Sequence, residues 1–404
     1  MNCRFCGNKL NHEFIDLVSS PPSNSYLSAE QLNEPEIFYP LKLFVCDKCF
    51  LVQIDEYKKN NEIFNENYAY FSSYSNSWLE HAKNYTEMMI EKLGLNNKSQ
   101  VIEIASNDGY LLQYFKLQGI PCLGVEPTKN TAAVAKSKGI DVIEDFFTEE
   151  LANNLPKADL ILGNNVLAHV PNINDFVKGL KETLKPTGTI TMEFQHLLNL
   201  IEQSQFDTIY HEHFSYLSLF TTMQIFKTHG LNIFDVDELP THGGSLRIYA
   251  AHSEMNKKHS EHVKKILEKE IAINLDKLDG YKNFQVKVDK IKYELLTFLL
   301  EAKKDGMKVA AYGAAAKGTT LLNYCGIKKD LISFIVDRNP HKQNKFLPGS
   351  HIPIVSEDAL LKEKPDFVII IPWNIKSEII SQLLYIKKWN AKFVTAIPQV
   401  TINN

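Results

Sequence analysis

Four consecutive side chains, Tyr210, His211, Glu212 and His213, can each exchange a proton or a hydrogen bond, and apolar and aromatic residues flank them on both sides. A histidine has an unperturbed pKa of about 6.5, so it takes up or releases a proton near neutrality. Two of them around a glutamate, beside a tyrosine, suggest acid–base chemistry in a partly dry pocket. The same cluster is compatible with a polar helix end or with a metal held by His211, Glu212 and His213, although alternate residues on a strand would bring only two of them together and a third ligand is not evident. The elements that hold the cluster must decide.

At 404 residues the chain exceeds one ordinary core and suggests two to three domains. With 44% hydrophobic and 23% charged residues it reads as soluble and globular. A net charge of −4 gives no reason to expect nucleic acid as a partner. No apolar run reaches the roughly 18–20 residues of a membrane span, and no signal-peptide core follows Met1. A cytoplasmic protein is expected.

Four of the six cysteines form two Cys-x-x-Cys hooks, Cys3/Cys6 and Cys46/Cys49. The two-residue spacer turns both thiolates of a hook toward one point, and four thiolates close a tetrahedron around a structural zinc. A redox dithiol would leave the second hook unexplained. Residues 1–60 are therefore expected to form a zinc-stapled module, with Cys122 and Cys325 as buried small apolar residues.

Further along, a short apolar strand carrying Glu103 runs into the turn Ala105, Ser106, Asn107, Asp108, Gly109, then a helix, then a second strand ending at Glu126 and Pro127. This is a β-turn-α-β unit with an acid poised for ribose hydroxyls. It is not a dinucleotide site, since Gly-x-Gly-x-x-Gly is absent. The order of pieces resembles a class I S-adenosylmethionine methyltransferase, with a turn poorer in glycine than usual. The resemblance implies that Glu103 and the turn residues Ala105, Ser106, Asn107 and Gly109 support the methionine part of the cofactor. It also implies that Glu126 and Pro127 hold the ribose, that Asp145 and Phe146 edge the adenine, and that Asn164, Asn165 and His169 line the methyl-transfer face. Residues 61–254 would form this domain.

Residues 255–305 read as one or two long helices with solvated charged faces. Residues 306–404 begin a second α/β unit, in which a strand ending at Tyr312 and Gly313 enters a helix through Ala314, Ala315, Ala316 and Lys317. Backbone amides at such a helix start, with a lysine, suit a phosphate, and Asp337 could address a ribose. A purely structural doubly wound domain is the alternative. Gly243 and Gly244, after His242, mark a close backbone approach at a strand entry. The aromatic stretch 68–78, with Tyr70 and Tyr74, reads as a lid or substrate-facing segment, or as helix-entry packing. The expected fold class is α/β: a class I methyltransferase Rossmann-like core, a small amino-terminal zinc module and a second Rossmann-like carboxy-terminal domain.

Taken in order along the chain, these pieces resemble the S-adenosylmethionine-dependent nucleotide-sugar C-methyltransferases, the segment 210–213 being the most discriminating motif. The resemblance implies methylation at C-3' of a TDP- or GDP-linked 4-keto-6-deoxy sugar, lying between the middle and last parts of a monomer. It implies His213 as the base, Glu212 fixing its orientation and protonation state, and Tyr210 near the sulfonium or the sugar, with His169 or Asn165 stabilising an enolate. Tyr70, Tyr74, His242, Gly243, Gly244, Tyr312, Gly313, Ala315, Lys317 and Asp337 would contact the substrate. O- or N-methylation of a sugar, or a non-catalytic zinc-ribbon scaffold with a degenerate core, are the competing readings.

Overall fold

The structure, a computed structural model, describes residues 1–59, 62, 64 and 71–403, so the expected substrate contact Tyr70 lies outside the described residues. The chain folds into two compact units that interleave in sequence. The first comprises Met1–Asn11, Val45–Leu197 and Phe214–Gly280, and the second His12–Phe44, Leu198–His213 and Tyr281–Asn404.

The amino end supplies strands β1 (His12–Ser20), β2 (Tyr39–Val45) and the short β3 (Val52–Ile54). Helix α1 (Asn76–Leu93) follows. The Ser75 hydroxyl accepts the Trp78 N–H at its start, and Gly94 at φ 63° ends it. Its residues Trp78, Ala82, Tyr85 and Met89, spaced three or four apart, enter one core with Leu111, Leu112 and Phe115.

The rest of the first unit alternates strand and helix: β4 (Val101–Ile104), α2 (Leu112–Leu117), β5 (Cys122–Val125), α3 (Lys129–Ser137), β6 (Asp141–Ile143), β7 (Ala158–Asn164), α4 (Ile173–Thr183) and β8 (Leu184–Gln195). The short β9 (Ser215–Tyr216), α5 (Leu219–Thr228), β10 (Leu231–Leu239), β11 (Ser245–His252) and α6 (Glu261–Ala272) complete it. Seven strands form one sheet in the order β10-β11-β8-β7-β4-β5-β6. Only β11 runs against its neighbours. That order, with one reversed strand, is the expected class I methyltransferase core. All four residues of β4 are buried, as a parallel strand covered on both faces requires.

In the second unit, Phe14 of β1 stacks on Phe284 at the start of α7 (Phe284–Lys304), with ring centroids 4.8 Å apart. The segments β12 (Val309–Tyr312), α8 (Ala316–Cys325), β13 (Ile335–Val336), β14 (Ile354–Val355), β15 (Phe367–Ile370), β16 (Lys392–Thr395) and β17 (Thr401–Asn403) build the expected second α/β domain. Its six-stranded order is β14-β13-β12-β15-β16-β17, parallel except for β17.

The spatial units depart from the linear order in two places, residues 12–44 and 198–213, which both group with the carboxy-terminal domain. For the latter the cause is visible. The Thr320 hydroxyl of α8 donates to the Ile209 carbonyl (2.6 Å), and the ring of Phe206 meets Tyr324 edge-on at 5.7 Å. The charged helices between the two α/β parts are not solvated throughout. Glu270 of α6 is buried, accepts the N–H groups of Leu219 and Phe220 at the start of α5, and pairs with buried His196 at 2.6 Å. No helix among the described residues is long and apolar enough to cross a membrane.

Candidate active site and metal centre

The four hook cysteines converge. Their sulfur atoms all lie within 4.8 Å of one another, with Cys3–Cys49 and Cys6–Cys46 each at 3.5 Å. Zinc–sulfur bonds of about 2.3 Å in a tetrahedron require sulfur separations of about 3.8 Å, so the donors fit zinc. Both hooks make the same turn: Gly7 N–H returns to the Cys3 carbonyl and Phe50 N–H to the Cys46 carbonyl, each at 2.9 Å. Both returning residues are left-handed, at φ 73° and 60°. Gly7 announces that conformation in sequence and Phe50 does not. The Cys3–Cys49 contact lowers one thiol of the pair, Cys3, and raises the other, Cys49, as two close sulfurs sharing a proton do. Among the described residues this is the one group of three or more converging metal-binding side chains, and His211, Glu212 and His213 form none.

The metal module is fastened into the first unit. The Arg4 guanidinium donates to the carbonyls of Pro171 and Ile54 and lies over the Phe214 ring. Asn174 donates to the Arg4 and Phe5 carbonyls, and Thr221 of α5 to that of Cys49. Just past the second hook, β3 pairs with β9 (Val52 with Tyr216), and Ile54 N–H reaches the Phe214 carbonyl.

At the C-terminal end of β4, the turn is poor in glycine but keeps a glycine-like path. Ala105, Asn107 and Gly109 have φ of 57°, 49° and 72°. Gly124 opposite is close-packed: a Cβ there would sit 2.3 Å from the Ser106 hydroxyl oxygen. Glu126, at the end of β5, accepts the N–H of Asn107 and of Thr128, both at 2.9 Å, together with the Thr128 hydroxyl. It thereby ties the turn to the neighbouring strand. Glu103 is wholly buried, and desolvation raises its carboxyl well above the usual range while the Tyr110 hydroxyl pulls the other way. A carboxyl in that state is relieved by an approaching ammonium group, which the methionine part of the cofactor carries. Pro127 is half-buried, Phe146 likewise, and Asp145 is exposed with its carboxylate accepting the Phe146 N–H. Asn107 and Asp108 also hold the amides of Ser72 and Ser73, while Tyr74 stacks with Phe71 and is exposed.

At the ends of β7 and β8, where open α/β sheets bind ligands, Asn164 donates to the Tyr110 hydroxyl (3.3 Å) and Asn165 lies 3.1 Å from His242 Nε2. Asn165 and His242 are left-handed (φ 56° and 54°), and Gly243 and Gly244 continue at φ 90° and 115°. Such strain in non-glycine residues concentrates at functional sites. Trp78 packs edge-on to His242 and stacks on His81 and Tyr110. His81 and Arg247 both bond Glu193, which is buried. Burial alone would raise the Glu193 carboxyl, but these two partners hold it below its usual range. Sequence reasoning missed this His81–Glu193–Arg247 cluster, whose members come from α1, β8 and β11. His169 ends a short turn and meets the Phe64 ring edge-on.

In the second unit, His213 Nδ1 lies 2.9 Å from the carbonyl oxygen of Thr208. A carbonyl only accepts, so Nδ1 carries the hydrogen and Nε2 is the basic nitrogen. Tyr210 packs against the same ring with centroids 4.1 Å apart. Glu212 Oε1 accepts from Asn24 (2.7 Å), and His211 Nε2 donates to the Pro40 carbonyl on β2. Thr208 and Asn24 carried no signal in sequence, because a carbonyl is common to every residue and Asn24 is 188 positions away from Glu212.

The expected phosphate turn follows β12. Tyr312 is buried, Gly313 is at φ 91°, and a Cβ there would strike Pro372 at 2.4 Å. Ala315 caps α8 with extended backbone. Asp337 accepts the Ala314 N–H (2.8 Å) and Lys342 donates to the Ala314 carbonyl, as does Tyr26. Lys317 lies over the Trp373 ring at 4.3 Å and donates to Asn374, with burial lowering its pKa.

Family profiles match three successive stretches of the chain. A family profile described as "Putative zinc binding domain" matches residues 3–64, a methyltransferase domain matches 78–236, and a C-methyltransferase C-terminal domain matches 240–398. The chain is 32% identical over 401 residues to C-methyltransferase NovU of Streptomyces niveus, covering 98% of this chain and 95% of that one. Solved structures similar to part of it include an S-adenosylmethionine-dependent methyltransferase from Clostridium acetobutylicum (12% identity, 45% of this chain and 92% of that one, TM-score 0.36). Another is magnesium protoporphyrin IX methyltransferase from Synechocystis (13% identity, 43% and 79%, TM-score 0.34). The chain belongs to the S-adenosylmethionine-dependent C-methyltransferases that carry an amino-terminal zinc-binding module.

Proposed function

We propose that this C-methyltransferase acts on C-3' of a TDP- or GDP-linked 4-keto-6-deoxy sugar, with His213 as the base. The observation that carries the reading is the Nδ1–H bond of His213 to the Thr208 carbonyl, which leaves Nε2 as the proton acceptor. A C–H bond becomes nucleophilic only once a base removes a proton next to a carbonyl. Nε2 takes that proton, and the bond pair moves into the enolate of the 4-ketone. The enolate carbon would be the nucleophile toward the cofactor's methyl group, with the S–C bond pair staying on sulfur. S-adenosylmethionine, when bound, supplies the electrophilic methyl.

Glu103, Glu126 and the left-handed turn of residues 105–109 serve the cofactor, with Asn164, Asn165 and His169 on the transfer face. Hydrogen bonds from Asn165 or His169 stabilise the enolate oxygen, usually the larger share of such catalysis. The turn of residues 313–317 takes the diphosphate, where helix-start amides and Lys317 favour negative charge. Asp337 and Lys342 brace that turn through the N–H and carbonyl of Ala314.

The test is incubation with TDP- and GDP-linked 4-keto-6-deoxy sugars, followed by mass spectrometry and NMR. A product 14 mass units heavier with the new methyl on C-3' supports the reading. A methyl on oxygen or nitrogen, or no product across the panel, overturns it.

A further inference from the structure

Asp207 is wholly buried in the second unit, six residues before His213 and beside Thr208. Its Oδ2 accepts the indole N–H of Trp373 at 2.7 Å. Trp373 sits just after β15, and its ring face carries the Lys317 ammonium at the start of α8. The short turn of residues 206–208 thus touches α8 in two ways, Phe206 on Tyr324 and Asp207 through Trp373, and its last residue holds the base.

A neutral asparagine could accept the same indole hydrogen bond without the cost of burying a charge. The Asp207 carboxylate has two further uses: it accepts backbone N–H groups of its own turn, at Asp207 and Thr208, and it faces the Lys317 cation through the Trp373 ring that both touch. Each acts on the other: burial raises Asp207 and Lys317 opposes it, while burial lowers Lys317 and Asp207 opposes that.

We propose that Asp207 is a positioning residue with two separable actions: its hydrogen bond to Trp373 fixes the turn that orients His213, and its charge tempers the Lys317 ammonium at the phosphate turn. The second action, and any kinetic readout, rests on the function proposed above. The first does not, because the ring state of His213 can be read without substrate.

The two actions separate in variants. Trp373→Phe keeps the ring and loses the N–H, so kcat should fall at least tenfold with KM for the nucleotide sugar changed less than threefold. Asp207→Asn keeps an acceptor for the indole, so kcat should stay within threefold. Its affinity for thymidine diphosphate, measured by calorimetry at pH 7, should rise severalfold as the opposing negative charge is gone. Nitrogen NMR of histidine-labelled protein should show the Nδ1–H form of His213 retained in Asp207→Asn and mixed with the other tautomer in Trp373→Phe. Zinc content and S-adenosylmethionine binding should match the parent in both. Parent-like kcat and tautomer in Trp373→Phe would overturn the inference, as would kcat lost equally in both variants. A parent that methylates no 4-keto nucleotide sugar sinks the proposed function, while the tautomer comparison still decides whether Asp207 and Trp373 orient His213.

Discussion

His213 and Thr208 are joined by one hydrogen bond, from the ring Nδ1 to a backbone carbonyl five residues earlier. Substituting residue 208 cannot remove that carbonyl, so the tautomer is set by the path of the chain. The neutral ring should therefore be in the Nδ1–H form, which the nitrogen shifts of labelled protein above pH 8 will show. A dominant Nε2–H form would mean that the turn holds the ring otherwise.

Metal removal should be felt beyond the hooks. Structural zinc contributes on the order of 10 kcal/mol of binding free energy coupled to folding, and β3 emerges directly from the second hook to pair with β9. Cys46→Ser should lose the single zinc per chain, read by metal analysis. Amide exchange should speed up at Val52 and Tyr216 before the seven-stranded sheet opens. Unchanged protection at those two residues would separate the metal from β9.

The turn after β4 makes a sterically specific prediction. Ala105 is left-handed, which costs an L-residue about 1–2 kcal/mol, so Ala105→Gly should be neutral or stabilising by up to about 1 kcal/mol after the glycine entropy cost. Gly109→Ala should be destabilising by about 1–3 kcal/mol, because its Cβ would lie 2.4 Å from Ile140 Cδ1. Denaturant unfolding of the two variants measures both signs.

Glu193 predicts an acid-side slope. Its carboxyl is held below the usual range by His81 and Arg247 despite burial. The folded chain therefore prefers the carboxylate more than the unfolded chain does. The resulting stability is present above the unfolded pKa of about 4.3 and is lost as pH falls through the lower folded value. Glu193→Gln should flatten that part of a stability–pH curve. It should also destabilise the fold at pH 7, by less than the about 3–5 kcal/mol of a fully unpaired buried charge, since Arg247 would keep Asp237 at 3.6 Å as its remaining partner.

The sequence was most legible where a residue type has few uses. Paired cysteines announced the four-sulfur cluster, and the strand-turn-helix-strand pattern carrying Glu103 and Glu126 announced the methyltransferase core. It was least legible where backbone does the work or distant segments meet. Ala105 and Asn107 adopt the conformations that glycine would advertise, so the turn looked degenerate while its path was kept. The domain boundaries followed the linear order, whereas residues 198–213 pack on α8 through Phe206 and Ile209, contacts more than a hundred residues apart in sequence. Periodicity within a segment carries no record of such pairings.

The central claim is that His213 removes a proton from the carbon next to a ketone, and solvent exchange tests it most directly. In deuterium oxide with a TDP-linked 4-keto-6-deoxy sugar, S-adenosylmethionine omitted, the parent enzyme should wash deuterium into C-3' on the timescale of turnover. His213→Asn should slow that wash-in by at least about 100-fold, the lower range of a general base's contribution, while binding S-adenosylmethionine as before. Exchange at the parent rate in His213→Asn would contradict the account.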